Sequence, residues 1–367
     1  MLDKIKNLDK KTLLYLGVGV GAVVFLIIFL FILKMVAGGR INSSKFEKRV
    51  KNAAITYYEK YPDKLPKISG NKVEITIDEL VKSGTLKEPN KLLDKGLTCE
   101  GKVNVSNNNG YYLYQPILKC SDEYETDLLY KKILKDNPIV TSSNGLYKVN
   151  DYYLFRGENL NNYVKFGNMK FQIIRINSDN TIRMILIDDV LDTVWDDRYN
   201  NKTGSAVGKN DFTISRIREQ LDKYFKDTEI FNENMKKLIV PQDLCIGARS
   251  ETSTINDGSL ECAKKLEKQP IGLLQVNEYM LATIESTCKH LFDNQCTNYN
   301  YLANIRNTWT LTPNSGNTYE VYRVSKFVYS NDANDTSQPR FVITISSDAL
   351  FDKGSGTEED PYIMKEN

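Results

Sequence analysis

At 367 residues the chain is too long for one typical domain and long enough for two or three folded units, and a 41% hydrophobic content suffices for ordinary cores. The net charge of +2 is unevenly spread: residues 1–12 carry +2, residues 13–51 carry +5, and the remainder carries −5. Nucleic acid demands a basic surface, so this mildly acidic body excludes it as an expected partner.

The first element is the run LLYLGVGVGAVVFLIIFLFIL, Leu13–Leu33, which holds no charged residue. A helix of about 20 apolar residues crosses the hydrocarbon core of a bilayer. Cleaved signal peptides have shorter apolar regions and a small-x-small exit, whereas the exit here reads KMVAGGR. The expectation is an uncleaved transmembrane anchor over 13–37, preceded by a cytoplasmic tail, 1–12, with the lipid bilayer as its partner. Lys and Arg nearly balance on the two flanks, so charge alone does not orient the span.

The cysteines orient it. Cys99, Cys120, Cys245, Cys262, Cys288 and Cys296 all lie beyond the apolar run, and none has the close spacing that zinc sites use. An even count in an anchored chain points to disulfides and an oxidising exterior. Successive pairing, Cys99–Cys120, Cys245–Cys262 and Cys288–Cys296, is the favoured pattern among the many that six cysteines permit. The expected topology is therefore single-pass in the cell membrane, with the N-terminus cytoplasmic and the following domains extracellular.

Beyond the anchor, SKFEKRVKNAAITYYEKY (residues 44–61) places Phe46, Val50, Ala53, Ala54 and Tyr57 at helical spacing, and Ser44 with Glu47 fits a capping box. VEIT reads as a strand leading into a short helix near Asp78. KVNVS and YYLYQPILKC, joined by NNNG, read as a hairpin whose Asn-Gly turn tolerates positive φ, flanked by Cys99 and Cys120. On KNAAITYYEKY, LKEPN and CEGKVNVSNNNGYYLYQPILKC, residues 45–126 of the expected domain 44–126 resemble the outer part of pilin-like proteins of low-GC Gram-positive bacteria. That resemblance implies a small α+β domain. The anchor lacks the processing site and embedded Glu of pilins, so a monomeric stalk is expected, with a structural part of a pilus-like assembly as an alternative.

Residues 127–145 read as a linker that begins as a helix and is broken by Asn137-Pro138 and Ser142–Gly145. Alternating aromatic strands follow, with a turn at Ser178–Asn180. The segment TISRIREQLDKYF then places Ile214, Ile217, Leu221 and Phe225 on one helical face. Over 146–367, the ordered set FGNMKFQIIRI, VWDDRYN, SRIREQLDKYF, IGLLQVNEYMLA, NTWTLTP, VYRVS, QPRFVITISSD and GTEEDPYIM resembles a domain-of-unknown-function family of gut Gram-positive bacteria. That family is similar in fold to the C-type-lectin-like, formylglycine-generating (sulfatase-modifying-factor) group. The resemblance implies an α+β domain whose N- and C-terminal strands pair, with long loops on one face that such domains use to bind sugars or proteins.

The residues offer little for catalysis. His290 is the one histidine, and beside Cys288 it reads as part of a disulfide loop. Phosphate-loop motifs are absent. The carboxylate pairs Asp188/Asp189 and Asp196/Asp197, and the Glu358–Asp360 cluster, read as surface charge. Cofactors are not expected, and calcium alone stays open, without direct support. Alternation in NTWTLTP puts Trp309 and Leu311 in a core, with Thr308, Thr310 and Thr312 towards solvent or a neighbouring strand. With Tyr and Asn suited to adaptable recognition, Asn307, Thr308, Thr310, Thr312, Asn314, Tyr319, Tyr322 and Asn331 become the candidate ligand contacts. The sequence thus points to a non-enzymatic surface protein displaying a lectin-like head for a glycan or surface-protein ligand. A formylglycine-generating-type thiol enzyme is the alternative.

Overall fold

The computed structural model describes residues 39–305 and 307–365. The expected cytoplasmic tail, 1–12, and the whole of the expected anchor, 13–37, lie outside the described residues. Among those described, no helix is long and apolar enough to cross a membrane. The architecture is α+β and is built on two hydrophobic cores.

The first core forms between helix α1 (Ser43–Lys60) and a three-stranded antiparallel sheet of β1 (Lys72–Thr76), β2 (Cys99–Asn108) and β3 (Tyr111–Cys120). Phe46, Val50, Ala53, Ala54 and Tyr58 form the buried stripe of α1 and meet Val103, Val105 and Leu118 of the hairpin. Tyr58, and not Tyr57, completes that stripe. The cap also differs from expectation: Asn42, not Ser44, caps the helix, its side chain accepting from the Lys45 amide at 3.0 Å. The apolar stripe begins at Phe46, and capping one turn earlier leaves Glu47 free to pair with Tyr124 and Thr126. A full capping box occurs instead at helix α2 (Ile77–Lys82), between Thr76 and Glu79. The β2–β3 turn takes positive φ at Asn109 (57°) and Gly110 (87°), as its Asn-Gly sequence requires. Cys99 and Cys120 face one another at the open end of the ladder and are bridged.

The second core is centred on a nine-stranded mixed sheet. Its main path runs β12 (Gly272–Leu273), β17 (Phe341–Ile345), β8 (Ile182–Leu186), β7 (Met169–Ile176), β6 (Tyr163–Phe166), β19 (Tyr362–Met364) and β18 (Phe351–Lys353). The hairpin β4 (Gly145–Val149) and β5 (Tyr152–Arg156) joins through β7. β19 pairs in parallel with β6, so the late strand returns to an early one, although not to the first, β4. Two short ribbons pair β9 (Thr193–Val194) with β16 (Thr336–Ser337) and β10 (Gln242–Cys245) with β11 (Lys265–Gln269), and a separate sheet of β13 (Thr308–Pro313), β14 (Glu320–Ser325) and β15 (Phe327–Asp332) packs alongside.

Two sequence expectations are corrected here. The 127–145 segment is more than a linker: helix α3 (Leu129–Asp136) buries Leu129 and Ile133 in the second core, and Asn137 bonds the Tyr362 hydroxyl at 3.2 Å. Ile214 does not join the face of α4 (Arg216–Lys226). Ser215 caps the helix after it and leaves Ile214 47% exposed, while Ile217 and Leu221 are buried. The polar face of the β2–β3 hairpin is also buried. Asn104, Ser106 and Asn108 alternate with Val103 and Val105 and are all buried. Asn104 donates to Asp348 at 2.8 Å, Asn108 to the Lys237 carbonyl at 2.5 Å, and Asn109 to the Ile239 carbonyl at 3.0 Å. Lys237 belongs to helix α5 (Glu233–Leu238), which rests on β2 and β3. The strand's period of two therefore serves a core on one face and a docked polar interface on the other.

Candidate functional site

The strands of the β13–β15 sheet carry five of the eight predicted contact residues, Asn314 and Tyr319 lie in the β13–β14 connection, Asn307 directly precedes β13, and the two ends of the sheet have different fates. Trp309 and Leu311 are fully buried, as their alternation implies. Trp309 Nε1 donates to the Thr193 carbonyl at 2.9 Å, and Trp195 Nε1 to the Thr310 carbonyl at 3.1 Å, lacing the 193–195 segment to β13. The other face is buried as well, so of solvent or a neighbouring strand it is the strand that holds these residues: Thr308, Thr310 and Thr312 are each 0% exposed. Thr310 donates to the Tyr322 carbonyl at 2.6 Å, and Thr312 accepts the Val276 amide at 3.1 Å, at the start of α6 (Val276–Leu281). β14 and the start of α6 cover this face, so the threonine hydroxyls are spent on backbone.

The Pro313–Asn317 turn leaves Ser315 and Gly316 exposed but is anchored inward. Asn314 is buried, and its amide donates to Glu251, Glu320 and Ser330 within 3.0 Å. Asn210 reaches in and donates to the carbonyls of Asn314, Asn317 and Glu320 at 3.0–3.1 Å. Tyr322 is fully buried and donates to the Arg249 carbonyl at 3.1 Å. Arg249 and Glu261 form an ion pair at 3.2 Å with both side chains at 0% exposure. The Cys245–Cys262 bridge closes the loop that carries them. Of the predicted contacts, only Asn307, Tyr319 and Asn331 retain exposed surface, and Asn331 pairs with Asp335.

The opposite end of the sheet is open. The β14–β15 turn, Ser325-Lys326-Phe327, borders a groove of about 1030 Å³ whose other wall includes Asn298, Tyr299 and Asn304. Tyr299 is 48% exposed, and the neighbouring Tyr329 is 43% exposed. Tyr299 and Lys326 adopt left-handed φ of 46° and 64°, and exposed Asn307 close by has 35°. Left-handed backbone in a bulky residue costs of order 1–3 kcal/mol and persists only where the surroundings enforce it. The enforcement is visible: the Lys326 carbonyl accepts from buried Tyr279 at 2.5 Å, while Asn300 donates to the carbonyls of Tyr279 and Cys296 at 2.9 and 2.8 Å. The Cys288–Cys296 bridge closes the preceding loop, and Thr283 holds the Asn298 carbonyl at 2.6 Å. Burial pushes the Tyr279 hydroxyl far above the ordinary tyrosine value, so it stays a neutral donor.

Chemically, the groove offers two aromatic rings, amide and hydroxyl groups, one acid (Glu158) and one base (Lys326). That is a neutral surface with stacking faces and many hydrogen-bonding partners. Sequence reasoning missed Tyr299, Phe327 and Lys326. They come from separate segments with no shared periodicity, and the one local signal was an aromatic set among asparagines just after Cys296.

The three disulfides follow the favoured pairing. His290 lies exposed in the Cys288–Cys296 loop. The carboxylate pairs serve local structure: Asp188 accepts the Lys170 amide, Asp189 pairs with Arg340, buried Asp196 accepts the Lys209 and Arg216 amides, and Asp197 pairs with Arg216. Among the described residues, no three metal-ligating side chains of His, Cys, Asp or Glu converge. Comparison with protein-family models, curated proteins and solved structures gave no match to this chain.

Proposed function

We propose that this chain is a membrane-anchored, cell-surface binding protein that presents a lectin-like head on a pilin-like stalk, with the groove at Tyr299, Lys326 and Phe327 as its ligand contact. The apolar run Leu13–Leu33 supplies the single span, with the N-terminus cytoplasmic and the folded part outside. Three closed disulfides suit an oxidising exterior and favour display over thiol chemistry. The observation that carries the reading is backbone strain held at Tyr299 and Lys326, on the rim of an open, aromatic and amide-lined groove. A neutral, polyhydroxylated ligand matches that lining, so glycans are the preferred class. The test is a glycan array probed with the full chain in detergent micelles. Retention of a defined glycan set, lost in a Tyr299→Ala variant, supports the reading; no retention of any glycan counts against it.

A further inference from the structure

A second cleft, of about 430 Å³, shares no lining residue with the aromatic groove. Its floor holds an unequal charge balance. Glu278, with its side chain 2% exposed, accepts from Arg183 at 2.5 and 3.1 Å, and its Oε1 also lies 3.5 Å from Arg175 Nη1. One buried carboxylate thus faces two guanidinium groups. Burial acts to raise the Glu278 pKa, and Arg183 and Arg175 more than reverse it, so the carboxylate stays ionised. Arg183 takes the better share of Glu278. Arg175 spends its Nε on Asn177 at 2.8 Å, and its Nη2 has no hydrogen-bond partner among the described residues. A planar guanidinium with a spare edge is suited to a carboxylate.

The rim carries the opposite sign. Asp179 and Asp257 are exposed and line the same cleft. In each, one oxygen is engaged locally: Asp179 Oδ1 by Thr181 and Asp257 Oδ1 by the Ser259 amide at 2.9 Å. The loop bearing Asp257 is fixed by the Cys245–Cys262 bridge and by Arg249, which donates to Asn256 at 2.7 Å. Asn277, also on the lining, is 5% exposed, and its buried Oδ1 has no partner. An orphan acceptor beside a cleft is what a ligand N–H relieves.

We propose that this cleft binds a small zwitterion of the free α-amino acid class, its carboxylate on Arg175 and its ammonium at the Asp179 and Asp257 rim. The rim repels polyanions, and the Arg175 floor repels simple amines. The head therefore holds a small-molecule site separate from its surface-recognition groove.

Isothermal titration of the full chain in detergent with glycine, L-alanine, acetate, methylamine and inorganic phosphate tests this. Glycine or alanine should bind at least about tenfold more tightly than acetate or methylamine, a gap of about 1.4 kcal/mol. Arg175→Gln should abolish amino-acid binding. Asp257→Asn, a change at an exposed position, should shrink the preference over acetate and leave thermal stability unchanged. Failure of both amino acids to bind at millimolar concentration would overturn the proposal. So would phosphate or acetate binding as well as glycine, or an unchanged preference in Asp257→Asn.

Discussion

The two ends of the β13–β15 sheet are made of similar residues and do opposite things. At the Pro313–Asn317 end, Asn314, Asn210 and Tyr322 are consumed by carbonyls and carboxylates inside the protein. At the Lys326 end, Tyr299 and Phe327 face an open groove, and strained backbone is held there by buried Tyr279 and Asn300. Residue type does not separate a structural polar network from a recognition surface. The partners already engaged do.

The contrast can be broken at several points. The largest effect is expected for Arg249→Met, which leaves Glu261 buried and unpaired; about 3–5 kcal/mol of stability should be lost in urea unfolding. Asn210→Ala strips donors from three carbonyls of the locked turn, and denaturant titration should register a loss of about 1–3 kcal/mol. At the open end the sign reverses. Lys326→Gly relieves a left-handed residue and should raise stability by about 1 kcal/mol, since glycine adopts that φ without steric cost.

The smallest effect lies at the docked hairpin, another locked polar surface. Burial raises the Asp348 pKa, and Glu74 adds to this, against the opposing pull of Lys72, Asn104 and Lys102. The folded state therefore binds this proton more tightly than the unfolded chain. Its contribution is fully present below the unfolded carboxylate value, about 3.9, and is lost as pH rises through the higher folded value. Asp348→Asn should flatten that part of a stability-versus-pH curve and slightly stabilise the protein at neutral pH. A curve identical to wild type would remove Asp348 as its source.

Much of the framework was legible in the sequence because it rests on local rules. The Asn-Gly turn, the Trp309/Leu311 alternation and the cysteines in successive pairs each depend on a few neighbouring residues. What was not legible depends on which surface arrives from elsewhere. Asn104, Ser106 and Asn108 have the pattern of a solvated strand face until the 237–239 segment and Asp348 close over them. Thr310 and Thr312 read as facing solvent or a neighbouring strand, and only the arrival of β14 and the start of α6 decides between the two. The groove was hidden for the same reason, because Tyr299 and Lys326 meet only through the folding of the Cys288–Cys296 loop against the β14–β15 turn.

The most direct test sets the two ends against each other in one experiment. The Tyr299→Ala/Phe327→Ala double variant and Asn210→Ala are compared with the wild-type full chain for melting temperature and for retention on the glycan array. The double variant should melt only slightly below wild type, with a stability change of about 0.5 kcal/mol or less at exposed Tyr299 and about 1 kcal/mol at half-buried Phe327, yet lose retention. Asn210→Ala should melt lower and still bind. Retention that survives in the double variant, or that is lost only in Asn210→Ala, would contradict the assignment of recognition to the Lys326 end.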